Sequence, residues 1–157
     1  MKKFLMTSII IMLLLILAVT SVITRSLTPF NQAEAETIEL ASRRADLVEA
    51  KDFYWFNGDE TYFTITGNNS QDTGIIVIVE QDGGAIEVVE QANAMTEHEA
   101  ITQTIERENP EKTLEARIGM HTGKPVWEVS FRLENGSIGY TMFSLTSGEW
   151  IRTIKNI

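Results

Sequence analysis

The sequence of 157 residues contains no cysteine, two histidines and three prolines. Without cysteine there is no disulfide framework, no thiolate metal site and no lipid-modified thiol, so any fold must be held by packing. Bases are also few, 13 against 22 acids, for a net charge of −9. The imbalance is uneven: residues 26–95 carry 13 acids and three bases, residues 96–157 nine and seven. Such a surface repels phosphate backbones, which argues against nucleic acid as a partner.

What is present is apolar material. Hydrophobic residues make up 43% of the chain, with three Trp, seven Phe and three Tyr, enough to bury a core and too much for a disordered chain. Once the first 25 or so residues are set aside, the remainder has room for one ordinary domain or two very small ones.

From Phe4 to Thr24 no charge interrupts the chain. At 1.5 Å per residue that run is roughly 30 Å long, one bilayer crossing. Lys2 and Lys3 precede it, and Arg25 alone follows before Arg43, which puts the N-terminus in the cytoplasm by the positive-inside rule. The reading is an anchor over residues 4–24, with 1–3 cytoplasmic and the rest extracytoplasmic on a single-pass cell-membrane protein. Ala33-Glu34-Ala35 has the form of a signal-peptidase site and keeps cleavage open as the alternative.

Residues 31–51 lack Gly and Pro, and Ile38, Ala41, Ala45 and Val48 recur at helical spacing. Strands are expected at Phe53–Phe56, Thr61–Thr66, Ile75–Val79 and Ile86–Val89, separated by Asn57-Gly58-Asp59, the polar stretch from Gly67 to Asp72, and Asp82-Gly83-Gly84. Thr96 and Glu99 have the spacing of a capping box, and Asn109-Pro110 closes the helix they open. Further strands are read at Leu114–Met120, Val126–Leu133, Tyr140–Leu145 and Trp150–Ile154.

Sliding the chain over itself by 64 residues aligns the two halves without a gap, Phe63 on Trp127, Ile65 on Val129, Val79 on Phe143, Gly84 on Gly148 and Ile86 on Trp150. Either this is a true repeat or two α+β stretches share a common strand rhythm. The fold class follows as α+β: an N-terminal transmembrane helix, then two tandem units at 25–94 and 95–157, each one helix on an antiparallel sheet of three to four strands.

No catalytic, cofactor or metal set can be assembled. His98-Glu99-Ala100-Ile101-Thr102 begins like a zinc-binding H-E-x-x-H helix but has Thr102 where the second imidazole is needed. His121 stands alone beside Thr122-Gly123-Lys124. No phosphate loop, dinucleotide loop or nucleophile elbow occurs. The chain is read as a non-enzyme without cofactor.

The run Phe53-Tyr54-Trp55-Phe56 is apolar on both faces of a strand, so one pair faces the helix and the other needs a second cover. That cover is either the second unit or a partner protein, and Tyr54, Phe56 and Tyr62 are the candidate partner-binding residues.

The second half, with Thr96-Glu97-His98-Glu99-Ala100-Ile101, Pro125-Val126-Trp127-Glu128-Val129-Ser130-Phe131, Gly139-Tyr140 and Ser147-Gly148-Glu149, resembles the PepSY domain, a cystatin-like unit also found in protease propeptides. With the first-half strings Tyr54-Trp55-Phe56-Asn57-Gly58, Thr61-Tyr62 and Thr66-Gly67-Asn68, nearly the whole chain resembles the YpmB/TseB-like family of Gram-positive bacteria. The resemblance implies a membrane-anchored pair of cystatin-like domains outside the cytoplasm, regulating cell-wall elongation by binding a membrane-bound penicillin-binding protein. The PepSY likeness alone implies an alternative, an inhibitor or folding assistant of an exported peptidase.

Overall fold

The computed structural model describes the backbone of residues 2–157 and the side chains of residues 6, 9–21 and 28–157. Met1, within the expected cytoplasmic segment 1–3, lies outside the described residues, as do the side chains at 2–5, 7, 8 and 22–27. Two compact units result, residues 1–36 and 37–157.

The expected transmembrane helix over 4–24 is overturned. Among the described residues no helix is long and apolar enough to cross a membrane. The apolar run is instead the front of one 43-residue helix, α1 (Lys2–Arg44), which continues through Pro29.

The second expected helix is likewise the end of α1. It stops at Arg44, with Arg43 and Arg44 in the last turn where cations suit the helix dipole. Asp46, at φ 57, then turns the chain into the left-handed region. Val48, read as part of the helical stripe, lies instead on the first strand and is exposed.

Eight strands follow in two four-stranded antiparallel sheets. The first contains β1 (Leu47–Asn57), β2 (Thr61–Asn69), β3 (Gly74–Glu80) and β4 (Ile86–Glu90) in sequence order. A short 3-10 turn at Gln91–Asn93 leads to α2 (Glu97–Glu108). The second sheet contains β5 (Lys112–His121), β6 (Lys124–Arg132), β7 (Ile138–Ser144) and β8 (Trp150–Ile154), again in order. The chain is α+β, as the alternating patterns required.

The capping box forms as read: the Glu99 N–H donates to Thr96 Oγ1, and the Thr96 N–H donates to Glu99 Oε2 at 2.8 Å. Asn109 ends α2 in the left-handed conformation. The offset of 64 also has a structural counterpart. Phe63 pairs with Val79 and Val79 with Ile86, while Trp127 pairs with Phe143 and Phe143 with Trp150, so the register of β2–β3–β4 recurs in β6–β7–β8.

Each sheet has its own helix. The α1 residues Ile38, Leu40 and Ala41 pack on the face of the first sheet that carries Leu47, Ile65, Ile75, Val77 and Val79. Ala100 and Ile101 of α2 pack among Ala116, Ile118, Trp127, Val129 and Phe143 of the second sheet. Ile76, Ile78 and Val89, on the opposite face of the first sheet, belong to that same cluster, so the two sheets share one interior. At this seam Thr64 Oγ1, fully buried, donates to the Ile118 carbonyl at 3.0 Å.

Candidate functional site

Strand alternation divides the aromatic run on β1 between two surroundings. Phe53 stacks on Phe63 at 6.1 Å and joins the cluster under α1. Trp55 meets the same Phe63 edge-on at 5.1 Å. Tyr54 and Phe56 point the other way, into the seam between the sheets.

Phe56 has no exposed surface and packs against Val126 and Met142. It is interior material, which removes it from any docking surface. The ring reaches that position because it lies over Gly119, where any Cβ would stand 2.1 Å from Phe56 Cγ.

Tyr54 is half-buried. Its ring meets Trp127 edge-on, with centroids 5.5 Å apart and planes at 86°, a favoured aromatic geometry. Its hydroxyl points toward Glu97 Oε2 at 3.5 Å. Burial, then the charges of Glu97 and Asp52, push the phenol well above its usual range, so the group stays neutral and is a poor base or nucleophile. Trp127 is fixed in turn by an indole N–H donated to the Met95 carbonyl at 2.7 Å.

Beside Tyr54 opens a cavity of about 210 Å³, with Ile76, Met95, Ile118 and Trp127 among its walls and Asp52 and Glu97 at its polar side. Cofactor and drug-sized ligands occupy roughly 300–1,000 Å³, so this space is smaller than such ligands need and is closer in size to a single side chain. Tyr62 lies on the other side of Phe56, at a separate depression of about 140 Å³ shared with Ile78 and Met120. Its hydroxyl donates to Glu60 Oε2 at 2.6 Å, and that bond, followed by burial and the Glu60 and Glu80 charges, pushes its pKa up to about 12. The structure therefore spreads the three candidate residues along one seam, two at its surface and one inside, without gathering them at one point.

Trp127 and Ile118 fall on strands expected from the sequence, and their place in the cavity wall with Met95 follows from the packing of one sheet on the other. Neither histidine builds a centre here. His98 is exposed on the first turn of α2, and His121 Nδ1 lies 4.0 Å from Asp59 Oδ2 at a hairpin.

Residues 36–80 match the family model of the cell wall elongation regulator TseB-like domain. Among solved structures, the YpmB protein from Bacillus subtilis is similar at 24% sequence identity and a TM-score of 0.66, over 79% of this chain and 94% of that one. No curated protein matches the sequence. The family model bears out the resemblance to the YpmB/TseB-like family over residues 36–80, the structural likeness bears out the fold, and the family's description is that of a regulator.

Proposed function

From the TseB-like domain that this chain carries at residues 36–80, we propose that the protein is a non-enzymatic binding module that regulates cell-wall elongation outside the cytoplasm by docking on a penicillin-binding protein. The family description carries the cell-wall elongation part of this reading, and docking on a penicillin-binding protein is what the family resemblance adds to it. The seam supports it physically. Tyr54 offers a half-exposed aromatic edge held by Trp127, next to a cavity sized for one side chain, which is how interface anchors are commonly received. The phenol's raised pKa leaves it a hydrogen-bonding group without acid–base reactivity.

The test is photocrosslinking in intact cells from probes at Tyr54 and Tyr62, with a control probe at exposed Val48. Capture of a penicillin-binding protein from the seam positions and not from the control is the expected result. Recovery of unrelated proteins alone, or equal capture from Val48, overturns the reading.

A further inference from the structure

The chain is acidic, yet one sheet face is basic. Lys112 pairs with Arg132, Arg117 with Glu128 and His121 with Lys124, all on the face of the second sheet opposite Trp127 and Val129. Arg152 pairs with Met142, itself the partner of Glu128, and so extends the same face across β7 to β8. Within these strands five Lys and Arg side chains stand with two carboxylates, Glu115 and Glu128, in a protein whose net charge is −9.

The helix of this half lies on the other side, its Ala100 among Ala116, Trp127 and Val129. Phe56 and Tyr62 reach one corner of the basic face, at Val126 and Met142. Elsewhere it is open: Lys112, Lys124 and Arg132 are exposed, and Arg117, Ser130 and Tyr140 are half-buried.

Its internal acids do not use up its cations. Arg117 hydrogen-bonds Glu115. Glu128 lies between Arg117 and Arg152, but burial outweighs both and holds its carboxyl above the usual carboxylate range. Arg152 Nε is buried without a hydrogen-bond partner.

We propose that this face docks an acidic, partly apolar segment of a partner protein. Charge complementarity sets the sign of the segment. Its class follows from what else the face carries. Glu115 and Glu128 interleave with the bases, and Ile138 and Tyr140 supply apolar area on β7. A uniform polyanion meets repulsion at both glutamates and gains nothing from the apolar positions, whereas a protein segment mixing carboxylates with apolar side chains matches both.

The test is titration of the full ¹⁵N-labelled chain with a peptide alternating Glu and Leu, and separately with inorganic polyphosphate. Expected are amide shifts along β5–β8 that leave the first sheet unmoved, and weakening by about tenfold in a Lys124→Glu/Arg132→Glu double variant. Both positions are exposed, and unchanged α2 amides in the variant report that the fold is retained. Absence of shifts, shifts centred on the first sheet, equal binding by the double variant, or polyphosphate binding as tight as the peptide's overturns the proposal.

Discussion

The Phe56 ring rests on Gly119, so close that a methyl group there would stand 2.1 Å from Cγ. This contact lets an aromatic side chain from the first sheet cross the β5 backbone and fill space between Val126 and Met142 of the second.

Gly119→Ala therefore destabilises the fold by about 1–3 kcal/mol through overpacking. Phe56→Ala costs about 3–5 kcal/mol, because it empties a fully buried aromatic site. The double variant is less destabilised than the sum of the two, since the methyl has nothing left to strike. Denaturant unfolding of all four proteins checks this, and strict additivity would remove the contact from the account.

Loss of the capping hydroxyl in Thr96→Ala costs about 1 kcal/mol, read by thermal or denaturant unfolding. Thr96→Ser keeps the oxygen and most of the stability.

The same cap has a pH signature. Hydrogen bonds from the Thr96 backbone and side chain hold the exposed Glu99 carboxyl below its usual range. A folded pKa below the unfolded one contributes stability above the unfolded pKa, and that contribution fades as pH falls through the folded one. NMR titration shows Glu99 as a low titrating carboxyl in the wild type and a more ordinary one in Thr96→Ala.

For Tyr62 the sign is opposite. A phenol raised to about 12 stabilises the fold below the ordinary value near 10 and loses that contribution as pH climbs from there to about 12. Tyrosinate absorbance should resolve Tyr62 ahead of Tyr54, which lies higher, and Glu60→Gln should bring the Tyr62 titration down.

Glu108 joins α2 to the end of the chain. Its side chain, 5% exposed, accepts from Thr153 Oγ1 at 2.8 Å and pairs with Lys155. Glu108→Ala loosens β8, with a loss of about 1–2 kcal/mol and faster amide exchange at Trp150–Ile154. Unchanged exchange there would show that β8 is held by its ladder alone.

Local chemistry made much of this fold legible. The Thr96/Glu99 spacing and Asn109-Pro110 bracket α2 because capping is decided within a few residues. Strict alternation from Val126 to Leu133 marks β6 because one of its faces is dry. The end of α1 was misplaced because Ala45 and Val48 extend a helical spacing that Asp46, turning left-handed, cuts short.

The role of the aromatic run was open for a different reason. Phe53 to Phe56 are apolar on both sides, so nothing local says which pair looks outward. The answer lies in Gly119, 63 residues beyond Phe56. Trp127 was legible as a residue of an alternating strand, and Met95 only as a neighbour of the α2 cap. Their service as walls of the Tyr54 cavity depends on how one sheet crosses the other.

The segment linking the two sheets is bolted down at its far end. Met95 donates its N–H to the Leu145 carbonyl at 2.7 Å, and its own carbonyl receives the Trp127 indole. Both bonds end on the second sheet, so Met95 fastens the linker to that sheet. With residues of both sheets in one shared interior, the two meanders present a single joined contour at this linker.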